Sequence, residues 1–298
     1  MKRGMKRLAL SGLGLVLVGG GILLLAAIGG RGQGISSAGR WVEEHLDRGV
    51  VERVADHLVT VSGNQGGLGE WTVCPRQEMV LVGTMQKVSE LELTAESVAV
   101  RLEEREDAKG GITVYARKDE RLQVHLEEDG EGRGQISLEY SGRRPGYGQV
   151  VIEVPADFRF EQADFSAEAS KIEISAIQAE MLKLELEAGL MQLDSFTAGQ
   201  LQLDASAGEV NASGSLKNGA SVSAQAASVN LQLDGQQEDY RWSVDHSVGS
   251  VTIGTEQFAG VSNNKQSGGR TEGASEGAKS LDIDCEAGSV AVQFGWQG

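Results

Sequence analysis

Four carboxylates recur at matching positions of a repeated pattern in the second half of the chain: Glu185, Asp204, Asp245 and Asp284. If the repeats stack as neighbouring β-strands, these side chains lie about 4.8 Å apart. Carboxylates at that spacing are suited to holding Ca²⁺ or to acting as the acid and base of a glycosidase. The interpretation we favour is a solvated face of an acidic domain, because stacked like charges without a cation only repel each other.

A second repeated position carries His246 in one copy and Cys285 in the next, where earlier copies have Ala or Leu. An adjacent histidine and thiol form a candidate nucleophile or ligand pair with a perturbed thiol. The alternative is a buried histidine that fills the space beside Ala224, next to a thiol that behaves as a small hydrophobe. Since the sequence offers the pair no acid partner or oxyanion donor, we favour the structural interpretation.

The chain has two cysteines, Cys74 and Cys285. Two are too few for a disulfide framework, and their spacing matches no metal-binding motif. One bridge between them is compatible with an exported protein. The inward position expected for Cys285 argues against that bridge, so the pairing stays open.

Most common catalytic motifs are absent from the sequence. It contains no P-loop, no H-E-x-x-H and no dinucleotide fingerprint, and its one G-x-S-x-G string, at residues 273–277, lies in a Gly- and Ser-rich stretch and not between a strand and a helix. We therefore predict that the protein is not an enzyme, and that it has no catalytic residues, no cofactor and no metal site.

The elements that position these residues form a repeat. Ala169, Ala188, Ala207 and Ala226 follow one another at a constant interval of about 19 residues, and further copies occur at Val248 and Ala287. Inward-facing residues alternate along each copy, and this alternation shifts by one residue at the small residue that follows the repeated Ala. A strand shows such a shift where it turns a corner. Two strands and a corner within each interval predict one turn of a β-solenoid that resembles a single-stranded β-helix.

The register of the repeat predicts columns of inward side chains that stack in chain order. One column contains Phe165, Leu184, Leu203, Val222, Val244 and Ile283. A second contains Ile174, Leu193, Ala212, Leu231, Ile253 and Val292. The Gly-, Ser- and Asn-rich residues 258–280 are expected to form a long exposed loop, and Trp296 to cap the open last turn.

Apolar residues begin to alternate with polar ones at about Met79, so residues 79–298 are predicted to form the solenoid domain. Residues 31–78 form a spacer in which the segment 36–58 is a short amphipathic helix. Its apolar stripe is Val42, Leu46, Val50, Val54 and Leu58. Residues 62–70 are expected to be a loop.

The N-terminal segment predicts a membrane anchor. Leu8 to Ile28 are 21 consecutive uncharged residues, which as a helix measure about 30 Å, the thickness of a hydrocarbon core. Four positive charges precede this run, so residues 1–30 are predicted to form a cytoplasmic tip and a single transmembrane helix, with the body extracytoplasmic. A cleaved signal peptide is the alternative, and it places the body on the same side.

The charge of the body limits its partners. The formal net charge is −16, and the first seven residues contribute +4, so the remainder carries −20. A body this acidic repels nucleic-acid phosphates and anionic lipid headgroups. We therefore expect no nucleic-acid partner and a domain that stands off the membrane.

The strand Val150–Pro155, the segment Phe158–Phe160 and the repeated small-Gly corners resemble the bacterial putative-adhesin family. The resemblance extends over roughly Val88 to Val292. It implies a β-solenoid-like fold and a place in the cell envelope. It carries over no catalytic motif.

The sequence therefore predicts a non-catalytic, membrane-anchored interaction domain of the cell envelope. Its expected partners are a cell-wall polymer, another envelope protein or its own copies. Two alternatives stay open: a carbohydrate-active enzyme that uses the outward carboxylates, and an accessory subunit of an envelope-stress signalling system.

Overall fold

The computed structural model of the protein describes residues 73–106, 111–142, 148–156, 158–247, 249–259, 266–268 and 279–297. All of them belong to the compact unit Trp71–Gly298. The predicted membrane span Leu8–Ile28, the spacer helix 36–58 and the loop 62–70 lie outside the described residues. Within the described ranges, no helix is long and apolar enough to cross a bilayer.

The described part of the chain is almost entirely β-structure, which confirms the predicted all-β class. Short 3-10 helices occur at Arg76–Glu78 and Gln237–Asp239. The strands in chain order are β1 Val80–Met85, β2 Glu90–Glu96, β3 Val98–Arg105, β4 Ile112–Ala116, β5 Leu122–Glu128, β6 Arg133–Tyr140, β7 Gly148–Pro155, β8 Arg159–Glu168, β9 Ser170–Ile174, β10 Ile177–Leu186, β11 Gly189–Leu233, β12 Tyr240–His246, β13 Ser250–Ile253, β14 Glu256–Ala259, β15 Gln266–Gly268, β16 Lys279–Cys285 and β17 Ser289–Phe294.

The central turns stack in parallel with the register that the repeat predicts. Leu184 on β10 pairs with Phe165 on β8 and with Leu203 on β11. On the other side of the corner, Leu193 pairs with Ile174. In the turn formed by β8 and β9, the first strand has 10 residues and the second has 5, and successive central turns are offset by the interval of the sequence repeat.

The geometry of the corners explains why a small residue follows the repeated Ala of each copy. Gly189 and Gly208 have φ of 129° and 104°, a region that disfavours side chains. A Cβ on Gly208 would lie 2.2 Å from the Gly189 carbonyl oxygen, and one on Gly189 would lie 2.0 Å from the Ser170 oxygen. Successive corners are therefore in backbone contact, and only glycine fits where both constraints apply.

The prediction that the turns stack in chain order is wrong at the C-terminal end. Ile283 on β16 pairs with Val222 on one side and with Val244 on the other. Likewise Val292 on β17 lies between Leu231 and Ile253. The last turn of the chain is inserted between the two turns that precede it, because its strands satisfy hydrogen bonds on both edges there.

The N-terminal end shows the same interleaving. Leu93 on β2 pairs with Phe165 on β8 and with Ile136 on β6. β2 therefore lies between these two strands, although β6 follows it in the chain. Leu102 on β3 similarly lies between Ile174 and Ile152. Both ends of the stack are thus closed by a strand pair that is out of sequence order.

Antiparallel strands cover both ends of the stack. At one end β14 pairs with β13, and β15 pairs with β12. The expectation of one exposed loop over residues 258–280 is therefore wrong for these two strands, which protect backbone edges from solvent. The last turn, formed by β16 and β17, is not an open end, because it lies between two other turns. Trp296 therefore has no open turn to cap, and its backbone N–H donates to the Leu233 carbonyl oxygen.

At the opposite end, β5 pairs with β6, β4 pairs with β7 and β1 pairs with β4, all antiparallel. β1 carries Val80, Leu81 and Val82, which are the large hydrophobic side chains most exposed in the described part of the chain.

The main core cluster runs the length of the stack. All twelve residues of the two predicted inward columns are buried, none more than 3% exposed. Phe160, Phe165 and Phe196 are among its largest fully buried side chains. The inward columns are thus the hydrophobic core, and the alternate residues form the outer faces.

The segment before β1 is held against the outer face of β7 by a buried carboxylate. Glu153 is 4% exposed. Its carboxylate accepts two hydrogen bonds of 2.9 Å from Arg105 and forms an ion pair of 3.0 Å with Arg76. Arg76 also stacks on the Tyr115 ring at 4.4 Å and donates to its hydroxyl. Val73 packs on Ala99 and Val151 beside this network.

Candidate functional site

The predicted carboxylate column exists as a row of outward side chains, but in a different order. Glu185 lies between Ser166 and Asp204, and Asp284 lies between Ser223 and Asp245. Ser223 falls between the two acidic pairs in the repeat register. Gln202 donates to Asp204 at 3.1 Å, so part of this negative charge is already hydrogen-bonded. In the described ranges, no group of three or more His, Cys, Asp or Glu side chains is arranged to hold a metal ion.

A second row of carboxylates, which the repeat did not predict, lies nearer the N-terminal end. Glu96 on β2 pairs with Glu139 on β6 and with Glu168 on β8, and all three side chains are exposed. Burial of part of the side chain, followed by repulsion from Glu168 and Glu139, raises the pKa of Glu96. We call Glu139, Glu96 and Glu168 the acidic ladder.

A shallow groove of about 250 Å³ lies beside the acidic ladder on the same outward face. Carboxylates, amides and one guanidinium line it: Glu90, Glu92, Arg133, Gln135, Gln162 and Asp164. Arg133 lies 3.5 Å from Glu90, and Gln135 donates to Glu92 at 3.2 Å. Hydrogen-bond donors and hydrogen-bond acceptors therefore both face the groove.

Asp164 is the half-buried carboxylate of this groove. Burial raises the pKa of Asp164. The positive charge of Lys183 on one side lowers this pKa, and the negative charge of Glu92 on the other side raises it further. These three residues lie on three neighbouring strands at the same level of the sheet. The balance leaves Asp164 easier to protonate than an exposed aspartate.

His246 and Cys285 lie side by side inside the stack, as their repeat positions predict. His246 is 4% exposed and Cys285 is fully buried. Burial raises the pKa of the Cys285 thiol, and the N–H groups of Gly288 and Ser250 act in the opposite direction. His246 Nδ1 is buried and has no hydrogen-bond partner among the described residues.

The two cysteines are free thiols and belong to distant parts of the stack. The N–H of Cys74 donates to Gln149 on β7, close to the N-terminal end. Cys285 lies on β16, about six strand spacings of ~4.8 Å away. Since a disulfide requires Cα atoms within about 7 Å, these two residues are not bridged in this fold.

Amide side chains on the outer face stack across the turns only in part. Asn230 donates to the side-chain oxygen of Asn211 at 2.9 Å, which joins two successive turns. Gln192 donates instead to Asp194 on its own strand at 2.8 Å.

Residues 146–293 match the family described as Toastrack DUF4097. The match confirms the resemblance to the putative-adhesin family, although it begins at residue 146 and not near Val88. No curated protein is significantly similar to the chain.

Two solved structures are similar over most of their own length. A protein of Clostridium sporogenes described as a putative cell adhesion protein is 10% identical, with a TM-score of 0.35 over 72% of this chain and 99% of that chain. A protein of Bacteroides fragilis described as a putative adhesin is 11% identical, with a TM-score of 0.34 over 73% of this chain and 97% of that chain.

Proposed function

Because residues 146–293 belong to the Toastrack family DUF4097, we propose that this chain is a non-catalytic interaction protein whose strand domain presents a flat polar face to a partner. The observation that carries the proposal is the regular outward face of the long strands. Carboxylates, amides and hydroxyls repeat there at the strand spacing of about 4.8 Å.

The chemistry of this face favours a partner rich in hydroxyl or amino groups. The acidic ladder and the groove beside it offer many hydrogen-bond acceptors, while Arg133, Gln135 and Gln162 add donors. A cell-wall polymer presents such groups repeatedly along its length. Several weak contacts along a flat face then add up to useful affinity.

We further propose that the domain is displayed outside the cytoplasm by the anchor Leu8–Ile28. The support is the uncharged run itself and the four positive charges that precede it. The strongly negative charge of the remainder keeps the domain away from anionic headgroups. Protease treatment of intact cells tests this: the strand domain is expected to be digested, and protection until lysis would contradict the topology.

The binding face is tested by co-sedimentation of the full chain with isolated cell-wall polymer. Replacement of the acidic ladder, Glu96→Gln, Glu139→Gln and Glu168→Gln together, is expected to weaken sedimentation at least about tenfold. The matched control carries Glu78→Gln, Glu120→Gln and Glu238→Gln, which remove the same charge from exposed positions outside the ladder and the groove. Equal binding by both triple variants would refute the proposed face.

A carbohydrate-active enzyme is the competing proposal. Glu185 and Asp204 are exposed on neighbouring strands, at a spacing near the roughly 5–5.5 Å that separates the carboxylates of retaining glycosidases. This proposal requires release of sugars that Glu185→Gln or Asp204→Asn abolishes. Release of sugars, and not binding, therefore distinguishes a carbohydrate-active enzyme from a non-catalytic interaction protein.

A further inference from the structure

Cys285 and His246 form a pair that the polar outer face does not use. They occupy neighbouring inward positions on β16 and β12, next to the turn that β14 and β15 cover. Phe258 of β14 lies over this place, with its ring centre 6.4 Å from that of His246. The two side chains are thus enclosed by apolar neighbours at one end of the core.

The histidine of this pair is incompletely bonded. His246 is 4% exposed, and its Nδ1 atom is buried without a hydrogen-bond partner in the described part of the chain. A buried polar atom without a partner destabilises the fold, and native proteins rarely retain one. Nδ1 is therefore a buried nitrogen that is available as a ligand.

The sulfur of the pair lies at a corner of the backbone. The N–H groups of Gly288 and Ser250 partly oppose the effect of burial on the pKa of the Cys285 thiol, and the Ser250 N–H donates to the Gly288 carbonyl oxygen. The sulfur packs closely against Gly249, since a Cβ there would lie 2.5 Å from Sγ. Burial raises the pKa of the free thiol, but a cation that replaces the proton leaves no buried negative charge.

We propose that Cys285 Sγ and His246 Nδ1 together bind one soft monovalent metal ion of the Cu⁺ type. Thiolate and imidazole are ligands that Cu⁺ prefers. Bonds of about 2.0–2.3 Å, as in zinc sites, let a linear S–metal–N bridge span roughly 4.3 Å, close to the ~4.8 Å between strands.

The charge of the complex selects a monovalent ion. Binding releases the thiol proton to solvent and leaves a thiolate, a neutral imidazole and one positive charge, which sum to zero. A neutral complex is compatible with an apolar interior, whereas a divalent ion would leave an uncompensated buried charge. This also explains why two protein ligands suffice here.

The test is a titration of the full chain in detergent with Cu⁺, under anaerobic and reducing conditions, against a competing Cu⁺ chelator. The parent carries Cys74→Ser, which removes the other thiol. It is expected to retain one equivalent of Cu⁺, and X-ray absorption is expected to show one sulfur and one nitrogen neighbour.

Two variants identify the ligands. Cys285→Ala is expected to lose the retained equivalent, and His246→Leu to weaken binding at least about tenfold. Both replacements occur naturally at this repeat position, as Ala224 and Leu186, so the fold should be retained. Circular dichroism without metal checks this.

Undiminished Cu⁺ binding by Cys285→Ala would overturn the proposal, as would a copper site without a nitrogen neighbour. If a variant does not fold, the parent alone decides: Cu⁺ is expected to raise its thermal midpoint, and no shift together with no retained copper would also overturn it.

Discussion

Ile283 lies directly between Val222 and Val244 in the core, although it follows both of them in the chain. The C-terminal strand pair is thus a structural insert that holds the end of the stack together. If its core side chains are weakened, the turn formed by β12 and β13 loses its inner neighbour. Stability at this end therefore depends on β16 and β17, the last two strands of the chain.

The first prediction concerns this insert. Ile283→Ala removes buried methyl groups from the centre of the inserted strand and is expected to destabilise the end of the stack by about 2–5 kcal/mol. Hydrogen exchange of β12 and β13 amides measures the local loss. Asp282→Ala, an exposed position on the same strand, should change exchange by no more than about 0.5 kcal/mol. Equal effects of the two variants would show that the insert does not hold these strands.

The second prediction concerns the corners. Gly208→Ala would require a side chain at φ 104° and 2.2 Å from the Gly189 oxygen. We expect a loss of at least about 2 kcal/mol in the free energy of unfolding. Gly130→Ala is the matched control, because no described atom lies within 4 Å of its Cβ position. A stable Gly208→Ala protein would contradict the close contact between successive corners.

The third prediction concerns the buried Glu153. Glu153→Ala leaves Arg76 and Arg105 without their shared carboxylate and is expected to cost about 2–4 kcal/mol. Hydrogen exchange should increase most in residues 73–79, which this network fastens to β7. Glu131→Ala breaks an exposed ion pair with Arg133 and should be nearly neutral. Unchanged exchange at residues 73–79 would show that the hydrophobic contact of Val73 suffices.

The fourth prediction concerns the pH dependence of stability. The pKa of Asp164 is raised in the folded protein, so the folded state binds this proton more tightly than the unfolded chain. The contribution of Asp164 to stability is therefore complete below its ordinary pKa and declines as pH rises through the raised value. Asn cannot ionise, so Asp164→Asn should stabilise the protein at pH 7 relative to the wild type more than it does at pH 4.

Urea unfolding of the wild type and of Asp164→Asn at both pH values measures this difference. Asp282→Asn controls for the removal of one negative charge from an exposed strand position. If the two Asn variants show the same pH dependence, the burial of Asp164 beside Glu92 has no measurable effect on stability.

The sequence was sufficient to predict the central register, because local physics determines it. Pairs such as Phe165 with Leu184 follow from the constant interval between corners. The glycine of each corner marks where the inward parity changes. The neighbouring inward positions of His246 and Cys285 followed from the same register.

The order of the terminal turns was not predictable by the same reasoning. Ile283 fits equally well beside Val222 or beyond Val244, since all three positions require only an apolar side chain. The choice depends on which strand edges the antiparallel strands β14 and β15 cover, and this is a non-local property of the fold.

The acidic ladder was missed for a related reason. Glu96 precedes the recognisable repeat and has no Ala-Gly corner to set its register against Glu168. The alternation of Leu91, Leu93 and Ala95 with polar residues was a usable indication of an outward acidic strand. It did not identify the neighbouring strands.

The central claim, binding without catalysis, is tested most directly by incubating the full chain with isolated envelope polymers and measuring bound protein and released sugars together. The account predicts saturable binding with no release of sugars above a buffer control. Release of sugars that Glu185→Gln or Asp204→Asn abolishes would contradict the account and establish a glycosidase.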